Sequence, residues 1–123
     1  MTRYQTAADR RFAALADPTR RAMVERLALG PASVSDLAQP FAMALPTVLQ
    51  HLKALEDSGL VRSRKQGRVR TCEIDGVALR QVECWFAAQI TTWTARLDRL
   101  DALALRLAAE DPLYPMKKEP QDG

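Results

Sequence analysis

The sequence predicts a mainly α-helical chain that carries one small β-hairpin, and three observations lead there. Between residues 6 and 58 apolar residues recur at helical spacings in four runs, punctuated by Asp17-Pro18, Gly30-Pro31 and Pro40. Between Val61 and Cys72 stand five basic residues and no acid, in a stretch with the alternation of two short strands. From Val77 onward the texture changes to a single long apolar stripe.

The first helix is expected over Thr6 to Ala16, with Ala8, Phe12 and Leu15 on one face. Asp17-Pro18 restarts the chain: Asp17 is placed to cap the second helix and Pro18 to occupy its first position, where a missing N–H costs nothing. Ala22, Met23, Val24 and Leu27 give that helix its apolar face, and Gly30-Pro31 stops it. Ser33 with Asp36 three residues on resembles a capping box, opening a brief third helix with Val34, Leu37 and Ala38, which Pro40 ends. Leu45, Val48, Leu52 and Leu55 then form the stripe of a fourth helix ending near Ser58-Gly59. Two short helices joined by a tight turn make a helix-turn-helix. The hairpin that follows, roughly Val61 to Lys65 and Val69 to Ile74 with Gln66-Gly67 at or near its turn, has the position of a wing. The fold expected is therefore a winged helix-turn-helix of five helices and a two-stranded wing.

At about 100° per residue the buried stripe of the fourth helix points away from Pro46, Thr47, Gln50, Lys53 and Ala54. Thr47 and Gln50 lie in the first turns, where such a helix enters the major groove, and are the expected base readers. Gln50 has the geometry to bond N6 and N7 of an adenine, and Thr47 to meet a thymine methyl or a phosphate. Leu49 and His51 flank the stripe. Leu49 is open to two readings, packing or an apolar base contact. His51 reads as a partly packed flank residue that bonds a phosphate or a backbone group, since no carboxylate or cysteine stands three or four residues away. Alternation places Arg62 and Arg64 on one face of the wing, with Arg68 and Arg70 sharing a face of the partner strand. Together with Lys65 these charges suit a phosphate backbone, a solvated hairpin being the alternative.

In the last helix Phe86, Ile90, Trp93, Leu97, Leu100, Ala104 and Leu107 step by four and three, widened by Leu79, Val82, Trp85 and Leu103. So small a body cannot cover all of this, so the stripe is expected to face a second copy, an intramolecular core helix being the competing reading.

Composition sets the outer limits. A chain of 123 residues, 47% hydrophobic and 27% charged, suits one globular domain, read here as residues 1–111 followed by a disordered proline-rich tail over 112–123. The net charge of +3 is unevenly placed: residues 1–75 hold 12 basic and 8 acidic side chains, residues 76–123 hold 6 and 7. That asymmetry suggests a polyanionic partner. No apolar run reaches the ~18 residues of a membrane span and no leader pattern opens the chain, so a cytoplasmic location without a membrane partner is expected. Cys72 and Cys84 show no disulfide spacing and read as free thiols, a redox switch between wing and long helix being the alternative. One histidine and no C-x-x-C give no metal signature, and no cofactor is expected. An enzyme is set aside because the sequence offers no paired carboxylates, no nucleophile with a base and no phosphate-cradling loop. A winged-helix module binding protein or RNA, without an operator of its own, remains the alternative to a DNA-binding regulator.

The runs F-A-A-L-A-D-P-T-R-R from Phe12 to Arg21, S-V-S-D-L-A from Ser33 to Ala38, P-T-V-L-Q-H-L-K-A-L-E-D-S-G-L-V from Pro46 to Val61 and R-K-Q-G-R-V-R from Arg64 to Arg70 closely resemble the ArsR-type winged helix-turn-helix repressors. The resemblance implies a bacterial homodimer, paired through its first and last helices, Phe12 and Leu15 included, that represses transcription from an operator of inverted symmetry. It makes Leu45 to Asp57 the reading helix and Arg62 to Arg70 the wing. The family's metal-sensing form has a C-x-C signature in the third helix, where this chain has Val34, Ser35 and Asp36, and its last helix lacks the Asp/His pairs of the other common metal site. The resemblance is thus to the non-metal branch, with the inducer, if any, unspecified. Two further departures are Ala44 and Leu49, where members often have Ser.

Overall fold

The structure, a computed structural model, describes residues 6–110; the expected tail at 112–123 lies outside them. The elements run α1 (Ala7–Leu15), α2 (Pro18–Leu27), β1 (Ala32–Ser33), α3 (Val34–Ala38), α4 (Leu45–Asp57), β2 (Val61–Gln66), β3 (Val69–Ile74) and α5 (Gly76–Glu110).

Local chemistry fixes the helix ends. Thr6 and Asp9 close a capping box on α1, each side chain accepting from the other's backbone N–H. Asp17 caps α2 by accepting from the Arg20 N–H at 3.0 Å, with Pro18 in the first turn. The two arginines that follow turn back onto the end of α1. Arg20 donates to the carbonyls of Ala14 at 2.7 Å and Ala13 at 3.3 Å, and Arg21 to those of Leu15 and Ala16 at 2.8 and 2.9 Å. Orphan carbonyls at a helix C-terminus are thereby satisfied by cations, the sign the helix dipole favours. Ser33 caps α3, accepting from Asp36 N–H at 3.1 Å. Asp75 opens α5, its Oδ1 accepting from the Val77 and Ala78 N–H groups at 3.0 and 3.2 Å.

α4 ends on a left-handed glycine. Gly59 has φ +82°, a conformation that costs glycine little and side-chain-bearing residues more. Beside it the buried Ser58 hydroxyl donates to Leu55 C=O at 2.7 Å and accepts from Leu60 N–H at 3.3 Å, while Arg11 Nε donates to Ser58 C=O at 3.1 Å. α1 is thus pinned to the C-terminus of α4.

β1, β3 and β2 form one antiparallel sheet in that order, with Ala32 opposite Cys72 and Ser33 opposite Thr71. The expected wing has two strands; the third, two residues long, stitches the start of α3 to β3. So short a strand carries no alternation that a sequence could display. Met23, Leu27, Leu37, Val48, Leu52, Leu55, Leu60, Val61 and Cys72 form the core beneath the sheet, joined by Ala14, Ala32 and Ala78. Deleting a side chain such as Leu55 from this core costs about 2–5 kcal/mol.

Three expected faces need correction. Ala8 is exposed and Ala14 is the buried residue of α1; Leu45 is 54% exposed rather than part of the buried stripe. Helical side chains lean toward the N-terminus, so those of a first turn, Ala8 and Leu45 alike, point past the helix end instead of onto the core. Leu79 and Val82, assigned to the stripe of the last helix, pack against the core instead, because Asp75 starts α5 close under the sheet. The described chain divides after Cys84 into two compact units, the winged body and the remainder of α5.

Candidate nucleic-acid interface

α4 buries Val48, Leu52 and Leu55 and leaves Pro46, Thr47, Leu49, Gln50 and Lys53 exposed. Ala44 stands at its N-cap and gives no side-chain cap, as its methyl group requires. Leu49, 38% exposed, lies outside the core and its packed fringe, which places it with the outward residues. Lys53 forms an exposed pair with Asp57 one turn on, 3.1 Å apart. Ala54, expected to face outward, is half-buried and lines a small cavity with Ala13, Ala14 and Arg20, because α1 packs along that side of α4.

His51 is half-buried, and its partners come from α2 rather than from its own helix. Nδ1 stands 3.4 Å from Arg20 Nη1 and 3.8 Å from Asp17 Oδ2. A guanidinium has no acceptor, so the Arg20 contact is a hydrogen bond only when Nδ1 carries no proton, whereas the Asp17 contact is an ion pair only when the ring is protonated. The Asp17 carboxyl is held below its ordinary range, first by the backbone N–H of Arg20 and then by the charges of His51 and Arg20, against an opposing effect of desolvation. Within the protein Nδ1 thus faces side chains 31 and 34 residues away, a link no helical spacing reveals.

In the wing, Gln66 pairs with Val69, so the loop is Gly67-Arg68. Gly67 has φ +62°, and no other residue of the loop has positive φ. A two-residue loop with glycine first suits the right-handed twist of the strands. Arg68 therefore sits in the turn, not on β3, and supplies the only side chain at the wing's tip. Arg62 and Arg64 share a face, as alternation requires. Arg70 projects from the other face, paired with Lys65 across the ladder.

The five cations are not alike. Arg62 lies 3.7 Å from Glu73 and 4.0 Å from Asp75. Arg70 is bound to Glu56 of α4 and to Ser63 of β2. Arg64, Lys65 and Arg68 are exposed and show no ion pair among the described residues. Glu56 and Ser63 are the partners of Arg70 that no spacing in the sequence reveals; the strand register and the packing of α4 bring them to it.

Both thiols are free. Cys72 is fully buried at the centre of the sheet, where burial, and secondarily the Glu56 charge, raises its pKa against the pull of Arg70. Such a thiol stays protonated and unreactive at neutral pH. Cys84 is exposed.

Along α5, Phe86, Ile90, Trp93, Leu97, Leu100, Ala104 and Leu107 are all exposed, Ile90 at 63% and Trp93 at 56%. Phe86 meets Trp85 edge to face, and Arg96 stacks over Trp93 with 5.5 Å to the ring centroid. On the winged body Phe12 and Leu15 are half-buried. No described helix is long and apolar enough to cross a membrane, and no described group of three or more His, Cys, Asp or Glu could hold a metal.

Known proteins share this arrangement. A family profile described as a helix-turn-helix domain matches residues 15–64, from the end of α1 into β2. An HTH-type transcriptional regulator of Mycobacterium tuberculosis is 46% identical over 79 residues, 64% of this chain and 73% of that protein. The crystal structure of an ArsR family transcriptional regulator superposes with TM-score 0.69 at 53% identity, over 72% of this chain and 98% of that one. The solution structure of a homodimeric winged helix-turn-helix DNA-binding domain from Mycobacterium bovis, a possible ArsR-family regulator, superposes with TM-score 0.55 at 29% identity, over 76% of this chain and 83% of that one.

Proposed function

Because the chain belongs to the ArsR family of winged helix-turn-helix regulators, a family of transcription factors and not of enzymes, we propose that it is a homodimeric repressor that binds an operator of inverted symmetry in double-stranded DNA. The observation that supports this most directly is the pairing of an outward, uncharged reading face on α4 with a wing that carries Arg64, Lys65 and Arg68 unpaired beside it. Gln50 and Thr47 read bases, with Leu49 offering an apolar surface to a thymine methyl. Pro46, His51 and Lys53 border that face, and Arg64, Lys65 and Arg68 of the wing hold phosphates.

The second copy is proposed to meet the α5 stripe, with Phe12 and Leu15 of α1 contributing. A row of apolar side chains this long and this exposed is unusual on a monomer. Residues 1–111 then act as one DNA-binding and dimerisation domain, in the cytoplasm and without a cofactor. Val34, Ser35 and Asp36 at the start of α3 provide no thiolates, which supports assignment to the non-metal branch of the family.

Selection of bound sequences from a random duplex pool at two salt concentrations tests the reading. The expected result is an inverted repeat with half-sites about one helical turn, ~34–36 Å, apart. Binding that enriches no motif would overturn operator recognition and favour the interaction module. On the selected site, Gln50→Ala should lose about 1–3 kcal/mol of discrimination at the adenine it reads, with the fold retained by circular dichroism. Wild-type affinity in that variant would remove Gln50 from the readers.

A further inference from the structure

Arg70 is the wing cation with the most complete set of partners. Its Nη2 lies 2.8 and 2.9 Å from the two carboxylate oxygens of Glu56, and its Nε donates to Ser63 Oγ at 3.0 Å. Ser63 Oγ in turn donates to Glu56 Oε1 at 2.6 Å. The three side chains close a ring, and each comes from a different element: the last turn of α4, β2 and β3. Glu56 is only 24% exposed, and Arg70 less exposed than Arg62.

From this geometry we infer that Glu56 and Arg70 are positioning residues, which lock the wing at a fixed angle to the reading helix, and that Arg70 makes no phosphate contact of its own. The inference rests on the DNA-binding reading given above and separates Arg70 from the three wing cations that show no ion pair among the described residues, Arg62 standing apart by Glu73 and Asp75. Arg64, Lys65 and Arg68 hold the backbone of the duplex; Arg70 holds the protein to itself.

Three considerations favour a clasp over a phosphate grip. The strand register sets Arg70 on the sheet face of Ser63 and the buried Cys72, where Glu56 of α4 binds it, whereas Lys65, opposite Arg70 on that same face, has no ion pair among the described residues. An arginine already engaged by a carboxylate gains little by exchanging it for a phosphate, since both are anions that present a pair of oxygens to its N–H groups. A bare carboxylate at Glu56, beside a phosphate-binding surface, would repel the duplex; paired with Arg70 it does not. Above the buried base of the wing, at Val61 and Cys72, this ring is the side-chain tie from hairpin to α4 that spans both strands.

The test measures the affinity of the full chain for a fluorescent mixed-sequence duplex of about 30 base pairs, long enough for two half-sites a turn apart, across a salt series. Glu56→Gln should bind about three- to tenfold more weakly although it removes a negative charge, because the wing must then be ordered on binding. Its plot of log affinity against log salt should run parallel to wild type. The double variant should match Glu56→Gln, Arg70→Gln should bind more weakly still because it leaves the Glu56 carboxylate bare, and Arg70→Lys, which keeps the charge and loses the fork, should also fall below wild type. Arg64→Gln should instead flatten the slope by about 0.9, the loss of one phosphate contact. Melting curves at one protein concentration confirm that each variant is folded.

Tighter binding by Glu56→Gln, unchanged affinity in both single variants, or a slope lowered in Arg70→Gln and restored in Arg70→Lys would each overturn the clasp while leaving the DNA reading intact. Wild-type protein whose binding shows no salt dependence would instead sink the DNA reading itself.

Discussion

Asp17 serves two elements with one carboxylate. It caps α2 through the Arg20 N–H and stands 3.8 Å from His51 on α4, so the start of α2 and the flank of α4 share a charge. Its pKa lies below the ordinary value near 3.8, which means that the folded state favours the ionised form. The stabilisation is therefore complete above that ordinary value and is lost as pH falls through the lowered, folded one. Asp17→Asn keeps a capping oxygen and removes the charge. Its melting temperature should lie below wild type at neutral pH, with the gap closing in acid; a gap independent of pH would show that the charge is not what matters. The cap was legible in the sequence because Asp-Pro is a local signal, whereas the tie to His51 was not, since it joins residues that only the packing of α2 on α4 brings together.

At the scale of elements, α4 lacks something its neighbours have. α1, α2 and α3 each open with a side chain that accepts from the first turn, while α4 opens with Ala44. Ala44→Ser adds a side-chain acceptor at the Thr47 N–H, which now bonds the Ala44 carbonyl at 3.0 Å, and should stabilise the protein by about 0.5–1 kcal/mol, read as a raised midpoint in urea at fixed protein concentration. No gain would indicate that the exposed start of α4 is frayed in both forms. The helices were readable because Pro, Gly and capping residues punctuate them and their stripes recur by threes and fours. The wing was readable as a hairpin but not in register. Shifting its turn from Gln66-Gly67 to Gly67-Arg68 moves Arg68 off the strand and fixes which residue opposes Arg70, and a step of one residue reverses a side chain's face. β1 escaped notice because two residues hold no period.

For the whole molecule, the exposed row on α5 and the basic wing are parts of one expectation, since a two-fold dimer presents two reading helices to successive turns of DNA. Trp93→Asp with Leu97→Asp places two charges per copy in the proposed contact. Sedimentation should then show a monomer, and operator affinity should fall by more than a hundredfold, roughly 3 kcal/mol, because two linked half-sites become two separate ones. A dimer that survives both charges would mean that another surface joins the copies.

The strand order carries a further consequence. β3 is covered on both sides, by β1 and β2, whereas β2 has a neighbour on one side only and ends the sheet. An unpaired strand edge is a template onto which another chain can add, and proteins guard such edges with charge. Arg62, Arg64 and Lys65 all lie on that outer strand. Whatever they do when DNA is bound, in its absence their mutual repulsion opposes the stacking of one wing on another, so neutralising them together would be felt first as aggregation of the free protein.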